Sequence, residues 1–213
     1  MGNFPQGVNY HNRATAVFTN YTHQFGRKRT LSNSAVLSML QDRDGDIWVG
    51  TEVGLNRFDR KTGTFKRYTK DTGNPKALQA DPALSLAEDA DGNIWVGTGS
   101  GGLHRFNKHT EEFHQYTATG APNALNSIAV WHLLVDRAGR LWVATDSGGL
   151  NLYRPATDDV EHFKVDASDP AAPKYNYIWN ILQDRQGRIW LGTSGGLEEF
   201  TPSNGVRRPS ANY

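Results

Sequence analysis

Residues 45–51 of the chain read GDIWVGT, and the same phrase returns three times with small changes. The copies are GNIWVGT at 92–98, GRLWVAT at 139–145 and GRIWLGT at 187–193. Their tryptophans are Trp48, Trp95, Trp142 and Trp190, which lie 47, 47 and 48 residues apart. A fixed period of this length is typical of a repeat protein in which each copy forms one supersecondary unit.

Each copy of the repeat reads as four short strands joined by turns. In the first complete copy the strand-like runs are residues 36–42, 46–52, 55–59 and 64–69, which alternate apolar with polar side chains or are rich in branched and aromatic ones. A turn glycine supplies the positive φ that a tight hairpin needs, and the copies place it at Gly45, Gly92, Gly139 and Gly187. A four-stranded meander cannot bury both faces alone, so we expect the copies to stack radially as blades of an all-β β-propeller.

The blades do not add up to a large ring. We expect a single partial propeller domain over residues 1–213 with about four and a half blades. The boundaries are a half blade at residues 7–21 and blades at 36–69, 83–117, 130–164 and 178–208, with residues 205–208 the only candidate for the last strand. Three arrangements are open. Either the strand at residues 16–21 completes a four-bladed ring, or the blades form an open arc, or two chains assemble into a larger ring. Because exposed blade edges invite pairing, we favour an open or partner-completed arc.

Composition excludes several classes of function. The formal net charge is +1 and the basic residues are scattered along the sequence, so nothing points to nucleic acid or to an anionic membrane surface. No run of about 18 apolar residues is present, and the first ten residues lack the charged and apolar regions of a secretory signal. Cysteine is absent, which removes disulfides, cysteine-based zinc sites and thiol catalysis.

Residues 36–69, VLSMLQDRDGDIWVGTEVGLNRFDRKTGTFKRYT, resemble the two-component regulator propeller repeat, and the likeness extends from about residue 7 to residue 200. That family builds the periplasmic sensor regions of bacterial hybrid histidine kinases and of some diguanylate cyclases. The resemblance implies a non-enzymatic, ligand-sensing module that signals through domains absent here, with glycan fragments as the expected ligand class. The family commonly forms seven-bladed rings, and fewer repeats are present here, so we expect a fragment completed by self-association or by the rest of a receptor.

The meander sorts the loops onto two rims. The turns between the first and second strands, and between the third and fourth, are short. The opposite rim carries the connections between the second and third strands together with long inter-blade loops, at residues 22–35, 69–82, 117–129 and 164–177. Long loops on a rigid scaffold are where binding usually resides. We therefore expect the ligand on this rim.

Positions where the copies differ supply the candidate ligand-binding residues. Trp131 and Trp179 share a position that holds Leu37 and Leu84 in the earlier copies, and aromatic faces suit stacking on sugar rings. Inter-blade packing is the alternative for both tryptophans, and a hydrogen-bonded core histidine is the alternative for His132. The full candidate set is Trp131, His132, Asp146, Asn176, Tyr177 and Trp179.

The remaining motifs indicate neither a metal nor a cofactor. DRDGD at residues 42–46 begins like a calcium loop, but a bidentate glutamate would be needed where Val53 stands, so a hairpin is the better interpretation. The candidate acid and base groups are Glu88, His132 and Asp146, and nothing in the sequence brings them together. A propeller enzyme acting on polysaccharide, as a lyase or glycosidase, and a protein-interaction scaffold are the alternative functions.

Overall fold

Short antiparallel strands make up the regular structure of the part of the chain that the computed structural model describes, which is residues 2–3, 7–12, 17–165, 173–200 and 211–212. The N-terminal blade has three strands, β1 (Gly2–Asn3), β2 (Gly7–Asn12) and β3 (Val17–Tyr21). Blade 1 contains β4 (Val36–Gln41), β5 (Ile47–Thr51), β6 (Gly54–Asp59) and β7 (Thr64–Tyr68). Blade 2 contains β8 (Ala83–Glu88), β9 (Ile94–Thr98), β10 (Leu103–Asn107) and β11 (Glu112–Tyr116). Blade 3 contains β12 (Val130–Val135), β13 (Leu141–Thr145), β14 (Gly149–Arg154) and β15 (Asp159–Phe163), and blade 4 contains β16 (Ile178–Gln183), β17 (Ile189–Thr193), β18 (Gly196–Phe200) and β19 (Ala211–Asn212).

The blades are antiparallel meanders that stack through their first strands. Strand β8 contacts β4 and β12, and β12 contacts β16, so the first strands line the inside of the array. The ring is not closed, which confirms the predicted all-β blades and incomplete propeller. The candidate last strand at residues 205–208 lies outside the described residues. On the side away from β17, β18 pairs with β19 through Ala211 and Asn212.

An aspartate–tryptophan hydrogen bond recurs in every complete blade. In blade 1, Asp42 accepts through Oδ1 from the backbone N–H groups of Asp44 and Asp46, at 3.1 and 2.8 Å, and so shapes the hairpin turn. The other carboxylate oxygen accepts from the indole Nε1 of the repeat tryptophan. The distances are 2.9 Å for Asp42–Trp48, 2.7 Å for Asp89–Trp95, 2.8 Å for Asp136–Trp142 and 2.9 Å for Asp184–Trp190. One carboxylate thus ties the turn to the blade's second strand.

Aromatic rings fill the space between neighbouring blades. The Trp95 ring lies 5.5 Å from that of Tyr116 in its own blade and 4.6 Å from that of Tyr153 in blade 3, centroid to centroid. Trp48 and Trp142 are equally buried, at the interfaces of blades 1 and 2 and of blades 3 and 4. Burial of this much aromatic surface is the main source of inter-blade stability. The three tryptophans are therefore structural.

The two end faces of the array lack this cover among the described residues. Leu55, Leu103 and Leu150 are fully buried by the next blade, whereas their counterpart in blade 4, Leu197, is 44% exposed. Trp190 is likewise only half-buried. At the other end, Phe18 is 65% exposed, whereas its blade 1 counterpart Phe65 is buried. The same repeat positions are thus buried or exposed according to whether another blade covers them.

Gly102 shows how the backbone constrains the connection between the second and third strands. Its φ is +80°, and a Cβ built there would lie 2.3 Å from the carbonyl oxygen of Tyr116. Gly120 has a similar φ of +82° but open space around it. We expect Gly120→Ala to cost about 1 kcal/mol from the left-handed backbone alone, and Gly102→Ala to cost about 2 kcal/mol more from overpacking. Urea unfolding of the two variants measures the difference, and equal losses would show that the strand carbonyl moves freely.

Candidate functional site

The long loops and the connections between second and third strands meet on one rim, here called the long-loop rim. In each complete blade the residue after the second strand donates its N–H to the carbonyl of the residue before the first strand. These bonds are Glu52 to Ala35 at 3.2 Å, Gly99 to Pro82 at 3.0 Å, Asp146 to Ala129 at 3.0 Å and Ser194 to Tyr177 at 3.1 Å. The loops that differ most between copies are therefore anchored to a repeated frame.

Trp131 lies on this rim at the start of β12. The register between β12 and β13 shifts across Val130 and His132, so Trp131 occupies a bulge, as do its counterparts in the other blades. Its side chain is 39% exposed, and the indole Nε1 lies 3.4 Å from Oδ1 of Asp146. An exposed aromatic face thus stands beside a carboxylate that can accept further hydrogen bonds.

Trp179 and Tyr177 extend the aromatic surface into blade 4. Their side chains are 53% and 47% exposed, and Trp179 occupies the same bulge position in β16 that Trp131 has in β12. Tyr175 has a different role, because a Cβ built on Gly195 would lie only 1.8 Å from its ring. The glycine makes room for Tyr175 to pack, and Tyr177 is the tyrosine that faces solvent.

His132 lies deeper, at the position that links neighbouring first strands. Its counterparts bridge the blades: the Ser38 hydroxyl donates to the carbonyl of Ala83 at 3.2 Å, and the Ser85 hydroxyl accepts from the N–H of Leu133 at 2.9 Å. The Nδ1 atom of His132 is buried without a partner among the described residues, and burial lowers the pKa of the ring. A neutral imidazole with one unused nitrogen therefore borders the inner surface.

Asn176 joins two loops of the rim. Its main-chain carbonyl accepts from the N–H of Gly149 at 2.8 Å, and its Oδ1 accepts from the N–H of Val165 at 2.9 Å. The side-chain oxygen is therefore committed to holding the loop at residues 164–177. Asn126, another residue of the rim, packs against Gly148, where a built Cβ would lie 2.1 Å from its Oδ1, and both of its side-chain polar atoms are buried without a partner among the described residues.

A buried polar position on the third strand anchors the long loops, and it was not predicted from the sequence. Asn56 accepts from the N–H of Ser32 at 2.9 Å, and Glu198 accepts from the N–H of Lys174 at 2.9 Å. At the same position in blade 2, Nε2 of His104 faces the N–H of Gln79 at 3.4 Å. Burial lowers the pKa of His104 to about 4, so the ring is neutral and can accept. Aligning the third strands would have exposed this shared polar column.

The rim opposite the long-loop rim, here called the short-turn rim, carries the short turns between strands. Three carboxylates converge on it where blades 1 and 2 meet. Asp42, Asp44 and Glu88 offer oxygens within 4.8 Å of one another. The ammonium of Lys108 lies among them, at 3.1 Å from Asp42, 2.7 Å from Asp44 and 3.1 Å from Glu88. The chain therefore supplies its own cation at the turn whose sequence begins like a calcium loop.

The two candidate carboxyl groups, Glu88 and Asp146, lie far apart in the fold. Glu88 ends β8 on the short-turn rim, where it pairs with Lys108 and with Arg43. Asp146 follows β13 on the long-loop rim, beside Trp131. Catalysis of glycosidic cleavage by two carboxyl groups requires them to flank one bond, and these two lie on opposite rims.

Comparison with known proteins agrees with this architecture. The family model described as the two component regulator propeller matches residues 30–53, 77–100, 124–147 and 173–195. Each match starts in a long loop and ends just beyond the second strand, so it includes the repeat tryptophan and its aspartate. A search of functionally curated proteins finds no significant match. Among the described residues no helix is long and apolar enough to cross a bilayer.

Several solved structures have a similar fold. The extracellular domain described for the hybrid two component system BT4673 from B. thetaiotaomicron is 26% identical with a TM-score of 0.74, over 95% of this chain and 25% of that one. The corresponding domain of BT3049 from the same organism is 22% identical with a TM-score of 0.77, over 98% and 28%. Virginiamycin B lyase from Staphylococcus aureus is 17% identical with a TM-score of 0.63, over 95% and 66%.

The chain spans about a quarter of the length of the two-component system domains that it matches. The lyase, at lower identity, is alike in fold alone. The sequence phrase, the blade geometry and the family match all fall on the same four segments. The four repeats of this chain therefore belong to the two component regulator propeller family.

Proposed function

We propose that this propeller is the ligand-sensing module of a bacterial two-component-type receptor and that it binds a carbohydrate-like ligand on the long-loop rim of blades 3 and 4. The observation that carries the proposal is the exposure of three large aromatic side chains, Trp131, Tyr177 and Trp179, on one rim. Exposed apolar groups that gather on one rim mark an interaction site more often than single exposed residues do. In blades 1 and 2, the tryptophan positions hold half-buried leucines.

The polar groups around these rings suit a sugar. Sugar rings present an apolar face for stacking and hydroxyl groups at the edge, so a site needs flat aromatic surface together with acceptors and donors. Asp146 supplies a carboxylate beside Trp131. The neutral ring of the half-buried His132 follows Trp131 on the same strand, with its Nδ1 buried. The loop held by Asn176 fixes the position of Tyr177 and Trp179 relative to blade 3.

The module acts by binding rather than by catalysis, and it reports to domains outside this sequence. Support comes from the opposite placement of Glu88 and Asp146 and from the likeness to extracellular domains of two-component systems. By the same likeness we place it outside the cytoplasmic membrane, in the periplasm. The uncovered face of blade 4, around Leu197 and Trp190, then packs against further blades of the receptor or of a second copy.

A tryptophan replacement tests the proposed site. We expect Trp179→Ala to weaken binding of neutral oligosaccharides by about tenfold or more, because a stacked indole is a typical hot-spot residue. Isothermal titration calorimetry with a panel of neutral oligosaccharides provides the measurement. Phe25→Ala is the matched control, since Phe25 is a fully exposed aromatic on a different inter-blade loop. Equal affinity of Trp179→Ala and the parent, or no binding by the parent across the panel, would contradict the proposal.

A further inference from the structure

Blade 1 carries a second concave surface, on its outer edge and away from the tryptophans of the long-loop rim. This groove has a volume of about 1050 Å³. Its walls come from the loop at residues 22–35, the turn at residues 59–63, and strand β7. Seven cations line it. Arg57 is paired with Asp46, and we call the surface formed by the other six the basic groove: Lys28, Arg29, Arg60, Lys61, Lys66 and Arg67. In the sequence these are three separated basic pairs, and the fold brings them to one place.

Lys66 is paired with Glu111, whereas the other five cations of the basic groove have no ion pair within the described residues. The side chains of Lys28, Arg29, Arg60 and Lys61 have no hydrogen bond or ion pair to any part of the chain that the structure describes. Arg67 donates to the carbonyl oxygens of Thr30 at 2.6 Å and Arg27 at 2.7 Å, which are neutral acceptors and leave its charge intact.

The acidic side chains that line the groove are largely committed elsewhere. Asp46 is bound to Arg57, and Asp44 to Lys108. Asp59 is the exception: it accepts from the backbone of its own turn, from Lys61 at 2.9 Å and Thr62 at 3.3 Å, keeps its charge, and offsets part of the charge of Arg29. A surface with several free cations on both walls of a groove therefore remains, and such clefts concentrate anions.

Blade 3 shows that the fold does not require these cations, whereas blade 2 keeps Lys76 and Lys108 at two of the positions and pairs both with carboxylates. The loop is attached to the outer strand in the same way in blades 1 and 3, through Phe65 N–H to Arg29 carbonyl at 2.9 Å and Val160 N–H to Asn123 carbonyl at 3.1 Å. At the positions of the basic groove, blade 3 has neutral or acidic residues: Asn123 for Arg29, Pro155 and Ala156 for Arg60 and Lys61, and Glu161 and His162 for Lys66 and Arg67. The repeat folds with basic, neutral or acidic residues at these positions. Folding alone therefore does not account for the cations of the basic groove.

We propose that the basic groove binds a linear acidic oligosaccharide through its carboxylate or sulfate groups, at a site separate from the aromatic residues of the long-loop rim. The anion site stands on its own geometry, while the choice of a sugar polymer rests on the proposed function. Guanidinium groups pair with planar carboxylates and with sulfate oxygens through two parallel hydrogen bonds. Arg29, from the loop at residues 22–35, and Arg60, from the turn at residues 59–63, both line the groove and supply two such groups.

Single-stranded nucleic acid is a poorer fit to the same groove. Binding of this kind relies on exposed aromatic platforms for the bases. The aromatic residues that line the groove are Phe58 and Phe65, and both pack against Tyr21 of the N-terminal blade, at 4.9 and 5.7 Å between ring centroids. These two rings are therefore already packed and do not offer a free face for stacking on bases.

The test is a titration of the whole chain at low salt with oligogalacturonate, with dextran sulfate and with neutral dextran of matched length. We expect the parent to bind at least one acidic polymer more tightly than neutral dextran, and to lose that preference as salt rises. The double variant Arg29→Glu/Arg60→Glu is expected to bind about tenfold more weakly or worse, because two attractive charges become repulsive. Preference for the uronate or for the sulfate arm identifies the anionic group.

Controls separate this site from general charge and from the aromatic site. Arg60→Glu alone is compared with Arg185→Glu, which reverses an arginine in an exposed hairpin turn of blade 4 and should leave affinity unchanged. Thermal unfolding verifies that the variants fold, and binding of neutral oligosaccharides at Trp179 should be unaffected. Absence of acidic-polymer binding by the parent, or equal binding by the double variant, would overturn the proposal. Tighter binding of oligothymidylate than of either acidic glycan would overturn the choice of ligand.

Discussion

Replacement of Trp95 by alanine is expected to lower the free energy of unfolding by about 3–5 kcal/mol, the range for losing a large buried aromatic side chain. Trp95 is fully buried, packs against the rings of Tyr116 and Tyr153, and has the Arg105 guanidinium 5.6 Å from its ring centroid. Its Nε1 also donates to Asp89 at 2.7 Å. The variant therefore opens a cavity between blades 2 and 3 and removes a hydrogen bond from a carboxylate that shapes its turn.

Trp190→Ala is the matched comparison for this prediction. Trp190 makes the same bond to its aspartate, Asp184, at 2.9 Å, but it is only half-buried. We expect its replacement to cost at least about 1–2 kcal/mol less, since less apolar surface returns to water. Urea denaturation of both variants provides the measurement. Equal destabilisation would mean that the hydrogen bond, rather than inter-blade burial, is the main contribution of the repeat tryptophan.

Lys108→Met is expected to cost about 3 kcal/mol at neutral pH, because removing one partner leaves buried charge uncompensated. Burial disfavours the ammonium, but hydrogen bonds to Asp44, Glu88 and Asp42 outweigh it and raise the pKa of Lys108. For Asp42, burial acts to raise the pKa, yet the bonds from Trp48 and Lys108 prevail and lower it. Without Lys108, three carboxylates repel one another at the junction of blades 1 and 2.

The pH dependence of this loss has a defined sign. In the parent, the pKa of Asp42 is lower in the folded state, so its contribution is present above the unfolded pKa of about 4 and is lost as pH falls through the folded value. In Lys108→Met, protonation relieves repulsion, so the deficit relative to the parent is largest above about pH 5 and shrinks towards pH 4. Addition of Glu88→Gln should restore part of the stability.

Arg60→Met is the control for Lys108, because Arg60 occupies the same turn position in blade 1 without an ionic partner among the described residues. Its replacement should change stability by less than about 0.5 kcal/mol. A pH-independent deficit for Lys108→Met, or a loss no greater than that of Arg60→Met, would contradict the role of the carboxylate cluster.

Much of the blade could be predicted from local sequence because the determinants are local. The strand runs, the turn glycines and the period of the tryptophans all lie within one copy of about 47 residues, and four-stranded meanders follow from them directly. The hydrogen bond between the aspartate and the tryptophan of each copy was not predicted, although the two residues are close in sequence. That the first aspartate of each copy binds the tryptophan six residues later required knowing that the turn folds the two side chains together.

The candidate site was predictable in part for a similar reason. Alignment of the copies was enough to single out Trp131 and Trp179, and the structure places both on the long-loop rim with exposed side chains. The commitment of Asn176 to holding its own loop was not visible, because its partners Gly149 and Val165 are reached only through the tertiary fold. Whether these aromatic residues bind a ligand stays a prediction.

The sequence by itself determined the repeat, the strands and the stacking of blades, since each depends on side-chain pattern over short distances. Only the tertiary structure decided which charged side chains lie close together. The basic residues are scattered along the chain and nearly balanced by acidic ones, yet blade 1 gathers six of them around one groove while Lys108 is surrounded by three carboxylates. Electrostatic energy depends on separation in space, and a linear sequence records separation only along the chain.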